Sequence, residues 1–404
     1  DRMAVEGLHV TSAVSGAPTC TPYRGSLLTS RYPHECAPEN GSPLPEGMPT
    51  ISTVFRENGY QTCYIGKWHL AGKEPGISGS QRIVPEWQRR DWDEWIGYDN
   101  NNKQWKCPVQ TGFGDDFKRW YLDGFETDCL TDMMLERLES WGGEQQNEDG
   151  KPFFAVLSVQ PPHDPSVAPE QFYRDGPVET RKNVPEIKWV RDFYNSQIKG
   201  YYAQIENLDW NIGRIREALA EHKLDDNTLI FYFSDHGSML GSHARFNKSV
   251  PYEESIRIPF IIGGDKRIGQ LPVDALVNHV DIAPTTLGFC GIDVPEYMRG
   301  FDYSPLWNKP TMPDMPEAAL LQECGGFSKV HPGGWRAIVT RDGWKYAVTP
   351  AGPWLLFNLN DDPYELCNLV FITHLYTKRR ELHDKLQELL TEADDDFKMP
   401  TLYP

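Results

Sequence analysis

Leu229-Ile230-Phe231-Tyr232-Phe233-Ser234-Asp235-His236-Gly237 is the stretch on which the fold turns. Its first five residues form an unbroken apolar run bounded by loop residues, which reads as a strand buried on both faces, as in parallel sheets. The strand runs straight into a carboxylate and an imidazole. A second run, Phe153-Phe154-Ala155-Val156-Leu157, leads in the same way to Pro161-Pro162-His163-Asp164-Pro165. In open α/β sheets, ligands gather at the carboxyl ends of strands. That rule alone puts His163, Asp235 and His236 on one rim.

Short apolar runs alternate with longer amphipathic segments along the first three quarters of the chain. Helices are predicted over residues 50–58, 131–141, 200–219 and 283–290, where they serve as crossovers. Residues 87–121 are rich in Trp, Asn, Arg and Gly without a sustained period and read as an insertion that shapes a substrate cleft. Asn101 and Trp105 are its candidate sugar contacts, although the same tryptophans serve equally well to anchor a long loop. After Pro305, four short strand-like runs (318–322, 336–340, 344–348 and 355–359) are separated by Gly, Asp-Gly and Pro turns, an antiparallel signal. Residues 378–392 carry Leu382, Leu386 and Leu389 on one helical face. The expected fold is α/β: a mostly parallel central sheet with helices on both faces (residues 1–305), plus a smaller C-terminal antiparallel-sheet subdomain with a closing helix (306–404).

The net charge of −18 over 404 residues argues against nucleic acid, which needs a basic footprint. No apolar run reaches the roughly 18 residues that span a bilayer, so no membrane partner is expected. The eight cysteines contain no C-x-x-C pair, so neither a zinc site nor a dithiol redox motif is indicated. Cys63 and Cys290 lie in apolar patterns typical of buried free thiols.

Cys20-Thr21-Pro22-Tyr23-Arg24 precedes the short apolar helical pattern Gly25-Ser26-Leu27-Leu28-Thr29. A Pro-containing turn before a helix would look similar, and Cys-x-Pro-x-Arg arises by chance in roughly two chains in a hundred of this size. As the start of a helix, however, the segment would present backbone N–H groups and a positive dipole end to an anion. The motif resembles the C-x-P-x-R signature of type I sulfatases, of the alkaline phosphatase-like superfamily. Gly59-Tyr60-Gln61-Thr62-Cys63-Tyr64-Ile65-Gly66-Lys67-Trp68-His69-Leu70 resembles the second sulfatase signature, and residues 161–165 resemble the family's substrate-contacting histidine loop. Ser234-Asp235-His236-Gly237, with Lys248 and residues 252–259, is similar to its metal-binding strand end and the loop that follows. Residues 359–369, LNDDPYELCNL, resemble its C-terminal turn, and all these segments keep the family's order.

The resemblance implies a sulfatase acting on organic sulfate monoesters, with carbohydrate sulfates, small or oligosaccharide, as the expected substrates. It implies that a maturation enzyme oxidises Cys20 to formylglycine, whose hydrate attacks with one hydroxyl and later expels sulfate with the other. An odd number of cysteines then remains. The implied metal ligands are the Cys20-derived oxygen, Asp235 and His236. Calcium suits the oxygen donors and manganese is the alternative. Arg24 would hold the nucleophile and metal ligands, while Lys67 and Lys248 would neutralise charge on the sulfate. His69 would be the general base for the sulfated hemiacetal, and His163 would assist departure of the bridging oxygen. His243 and His331 have no expected role in the chemical step. The family's strand ending in an Asp-Asp metal pair has no counterpart here; the chain opens on what resembles its first helix, and a longer natural N-terminus is the expectation. The alternatives are phosphonate monoester or phosphodiester hydrolysis and a metal-free binding pseudoenzyme. Oligomeric state is unassigned, and a periplasmic or secreted setting is favoured.

Overall fold

Among the described residues nine short strands build the central layer: β1 (Leu8–Val10), β2 (Gln61–Lys67), β3 (Glu94–Tyr98), β4 (Pro108–Thr111), β5 (Lys118–Tyr121), β6 (Phe153–Ser158), β7 (Ile230–Phe233), β8 (Phe260–Gly263) and β9 (Leu271–Val273). The computed structural model describes residues 2–89, 91–142, 150–264, 271–273, 275–307, 312–325 and 333–402. His331 lies outside them. One sheet has the order β5-β4-β3-β2-β6 and the other β7-β8-β1-β9. β6, β2 and β3 are parallel, as are β1 and β9. The other pairs are antiparallel, so the layer is mixed.

The antiparallel pairs have a simple cause. A parallel return needs a crossover of a dozen or more residues, usually a helix. The connections from β3 through β5 contain no such helix, and between β7 and β8 the only α-helix is the single turn Glu253–Ile256. β3, β4 and β5 all fall in the segment read from sequence as an aperiodic insertion. In β3, EWIGY, Trp95, Gly97 and Tyr98 are buried, a pattern too short to announce itself.

The predicted crossovers are present as helices Ile51–Glu57, Glu126–Gly142, Lys188–Glu221 and Ile282–Phe289. The third begins well before the expected position and buries Val190, Tyr194 and Ile198 at four-residue spacing. β6 and β7 are apolar, yet every residue of both stays partly exposed. Each is paired on one edge only, β6 with β2 and β7 with β8, and both line a single cavity of ≈ 1660 Å³.

The C-terminal strands β10 (Ala318–Glu323), β11 (Trp335–Thr340), β12 (Trp344–Thr349) and β13 (Gly352–Asn358) form a sequential antiparallel sheet. Gly343, at φ +86°, supplies the left-handed residue of the β11–β12 turn. The helix Tyr376–Glu392 closes one face, burying Leu382, Leu386 and Leu390 against Ile338, Tyr346 and Val348, with Leu389 at the margin. The other face lays Trp335, Ala337 and Phe357 on Met239, Tyr252 and Ile256 of the larger body. Within that seam Lys345 is fully buried. Its Nζ lies 2.6 Å from Glu253 Oε1 and 2.7 Å from Glu365 Oε1, while Glu365 Oε2 accepts a 2.7 Å bond from the Glu253 N–H.

Removing one partner of a buried ion pair leaves uncompensated charge and costs about 3–5 kcal/mol. Lys345→Met is therefore expected to lower the thermal midpoint by many degrees. Lys345→Met combined with Glu253→Gln and Glu365→Gln should recover much of the loss in calorimetry. A single variant as stable as wild type would show that the pair contributes nothing to the seam.

Candidate active site

Cys20 is the first residue of the helix Cys20–Thr29, after Thr19 in an extended conformation (φ −148°, ψ 131°). The residue is 4% exposed. Burial works to raise its thiol pKa, but the charges of Lys67, Lys248 and His236, with a hydrogen bond from His163, outweigh it and hold the pKa well below the ordinary value. Its Sγ, 3.2 Å from His236 Nε2, marks the position of the oxygens that formylglycine would carry.

Arg24, one turn further along the helix, joins three strand ends. Its Nη1 donates to the Lys67 carbonyl at 2.9 Å, at the end of β2, and to Ser158 Oγ at 2.8 Å, at the end of β6. Its Nη2 lies 3.7 Å from Asp235 Oδ2, just beyond β7. The Lys67 carbonyl also accepts from Ser158 Oγ at 3.0 Å and from the Tyr64 hydroxyl. Close approach of β2 and β6 requires Gly66, at φ +114°, since a Cβ there would meet the Ser158 carbonyl at 1.9 Å.

That turn presents Lys67 and His69, both buried. Burial lowers the pKa of each. His69 therefore favours the neutral, proton-accepting form, and its Nδ1 is buried without a hydrogen-bond partner. Thr21 Oγ1 lies 3.1 Å from the His69 carbonyl and ties it to the nucleophile's helix.

After β7, His236 Nδ1 lies 2.8 Å from the Gly237 carbonyl, so Nδ1 donates there and Nε2 faces the site. Cys20, Asp235 and His236 offer ligand atoms all within 4.8 Å of one another. Asp235 stays ionised, because His236, Arg24 and Lys67 overcome the effect of its burial. A carboxylate, an imidazole nitrogen and the position-20 oxygen make a donor set that fits a divalent cation.

His163 completes the cluster. Lys248 Nζ lies 2.9 Å from its Nε2 and donates, and His163 Nδ1 is 2.8 Å from the Asp164 carbonyl. The residue after Lys248 is stitched back to the nucleophile: Ser249 N donates to the Pro18 carbonyl at 3.0 Å, and Ser249 Oγ meets Thr19 Oγ1 at 2.6 Å.

Cys20, Arg24, Lys67, His69, His163, Lys248, Asp235 and His236 are thus gathered at one rim. Asn101 is buried, its amide donating to the Lys103 carbonyl at 2.9 Å, and Trp105 is 53% exposed against Phe125. Neither makes a recorded hydrogen bond to the cluster nor stacks on it. The insertion contributes instead through Gln104, whose Nε2 donates to the His163 carbonyl at 3.1 Å. Sequence reasoning missed Gln104, Ser158 and Ser249, since nothing separates them from surface polar residues until the strands are paired. It also missed Glu126, which is fully buried and accepts from the Tyr98 hydroxyl and, at 2.8 Å, from Gln160 N at the head of the His163 loop.

A buried cysteine at a helix N-terminus beside a carboxylate and an imidazole, on a mixed sheet rim, is in keeping with an ester hydrolase of the alkaline phosphatase-like superfamily. The sulfatase family matches residues 1–292, and the family described as N-sulphoglucosamine sulphohydrolase, C-terminal, matches residues 241–392. The chain belongs to the sulfatase family and is a sulfuric ester hydrolase. It is 32% identical to the ulvan-active sulfatase of Formosa agariphila, over all of this chain and 78% of that protein. It is 30% identical to the endo-4-O-sulfatase of Bacteroides thetaiotaomicron, over 76% of this chain and 65% of that protein. The solved putative sulfatase yidJ from Bacteroides fragilis superposes with a TM-score of 0.87 at 26% identity, covering 98% of this chain and 90% of that one. Membership implies a divalent metal and formylglycine. No helix among the described residues is long and apolar enough to cross a membrane.

Burial pushes the Glu126 carboxyl up from 4.5 to about 7. The folded protein then holds this proton more tightly than the unfolded chain, so stability is full below about 4.5 and is withdrawn as pH rises through about 7. Glu126→Gln, neutral throughout, should lose less thermal stability than wild type between pH 5 and pH 8 on the order of those values. Parallel melting curves over that range would refute the assignment.

Proposed function

We propose that the chain hydrolyses carbohydrate sulfate monoesters through formylglycine at position 20, with calcium as its metal. The observation that carries this reading is the convergence of Lys67, Lys248, His236 and His163 on Cys20 at a helix N-terminus. Preorganised cations around a nucleophile stabilise charge that develops in the transition state. The ulvan-active and endo-4-O-sulfatase relatives support a sugar as the alcohol.

Asp235, His236 and the oxygen at position 20 would hold a divalent ion, which would withdraw charge from the formylglycine hydroxyl and from the sulfate. The side chains do the rest. Lys67 and Lys248 bind the sulfate oxygens. His69, neutral and with an unused ring nitrogen, accepts the proton that must leave the second hydroxyl. His163 accepts a hydrogen bond from Lys248 at Nε2, so the Lys248–His163 pair can deliver positive charge or a proton to the bridging oxygen as it departs. Arg24 binds no substrate and holds Lys67 and Asp235 in register.

Cys20→Ala should abolish multiple turnover on a sulfated sugar while leaving the melting temperature within a few degrees. His163→Ala should lose far more rate on sugar sulfates, whose alcohols leave poorly, than on activated aryl sulfates. Equal losses across a leaving-group series would remove His163 from that role, and steady turnover by Cys20→Ala would refute the nucleophile.

Three ligands fall short of calcium's usual six to eight or so. The open edges of β6 and β7 face one cavity and end at Ser158 and beside Asp235, so an added strand carrying two adjacent carboxylates would meet the site there. Calcium titrated into the 404-residue chain should bind much more weakly than into a form in which such a strand is supplied to the slot. Equal affinity and equal activity would exclude this reading of the slot.

A further inference from the structure

Three aromatic rings beside the catalytic lysine have no role in the chemistry above. Trp189 and Phe193, one turn apart on the helix Lys188–Glu221, are 57% and 37% exposed. Both pack on Phe246, at ring-centroid distances of 5.5 Å and 4.2 Å. Phe246 is two residues before Lys248. The group is continuous with the site, because Phe193, Gln197, Phe246 and Asn247 line the same cavity as His163 and Lys248. The helix is pressed onto the His163 loop at Gly200, where a Cβ would meet the Ser166 carbonyl at 1.8 Å.

We propose that Trp189, Phe193 and Phe246 form a stacking shelf for the sugar that adjoins the sulfated residue in a glycan chain. The inference rests on the carbohydrate-sulfatase reading and adds a subsite to it. Contiguous exposed aromatic side chains, unlike scattered single ones, mark a surface that something covers. Phe193 and Phe246 line the cavity with Lys248 and His163, and Phe246 is two residues from Lys248, so the shelf would adjoin the groups assigned to the bridging oxygen and meet what is attached to the sulfate. A pyranose presents one face of C–H groups to an aromatic ring and keeps its hydroxyls at the rim, which combines apolar burial with attraction to the ring's negative face. Nearby charges are turned to each other: Lys188 Nζ is 2.6 Å from Asp192 Oδ2, and Arg191 pairs with Glu186. The shelf between them suits a flat, weakly charged occupant more than a sulfate group.

The test compares Trp189→Ala, Trp189→Phe and Phe193→Ala with wild type on a sulfated monosaccharide and on sulfated tetrasaccharides from ulvan and from a 4-O-sulfated glycan. Both alanine variants should keep monosaccharide kcat/KM within about twofold and raise tetrasaccharide KM by up to about tenfold, with kcat little changed. Trp189→Phe should restore most of the loss. A second readout is independent of catalysis: desulfated tetrasaccharide should change the tryptophan fluorescence of wild type, and Trp189→Phe should lose that change. The shelf is overturned by equal losses on mono- and tetrasaccharide, by no loss on either, by absence of the fluorescence response, or by self-association that Trp189→Ala abolishes. Failure of the function itself reads differently, as no sulfate release from any sugar by the matured enzyme, while the fluorescence titration still reports on the shelf.

Discussion

The Arg24 guanidinium is the constraint on which the site depends. Three strand ends arrive from separate parts of the chain, and side-chain packing alone would leave their relative depth loosely set. A planar fork with fixed donor directions meets the Lys67 carbonyl, Ser158 and Asp235 together. It shares a helix with Cys20, so the nucleophile is indexed to the strands through a single turn of backbone. A lysine at this position would carry the charge but not the geometry. The acidic protein, with net charge −18, thereby keeps a cationic pocket without a cationic surface.

A second principle is that groups at the centre are positioned through backbone as often as through side chains. The His163 carbonyl is held by Gln104, the His69 carbonyl lies beside Thr21, and the peptide after Lys248 is held by Pro18. Such bonds fix the loops without drawing on the side chains they carry. They also explain how an irregular segment such as residues 101–104 serves the chemistry without touching it.

Much of this was legible before any coordinates. β6 and β7 were readable because unbroken apolar runs next to loop residues have few other solutions, and the rim rule then placed His163, Asp235 and His236. The closing helix and the antiparallel sheet followed from leucine spacing and turn residues. The central layer proved more mixed than a mostly parallel sheet, because strand direction depends on what the connections contain, and the β7–β8 connection has one helical turn where a crossover would need several. β3 to β5 went unread because four or five residues with interspersed charge carry no period. Supporting residues such as Ser158, Gln104 and Glu126 have no signature at all: a serine or glutamine acquires its role from what pairs beside it. For the same reason Trp189 and Phe246 escaped notice, being separated in sequence and united only by the helix face.

The Lys345–Glu253–Glu365 seam bears on where this chain divides. Glu253 opens the single helical turn that follows the Lys248 loop, so the smaller sheet grips the end of a segment whose other end is fastened beside Cys20. The composition changes only after Pro305, but the packed unit reaches back past residue 253, in keeping with a C-terminal family match that begins at 241. A piece exchanged between relatives at the visible boundary would therefore separate a buried cation from one of its two counter-charges. The sheet and the loop that ends at Glu253 thus form one packed unit.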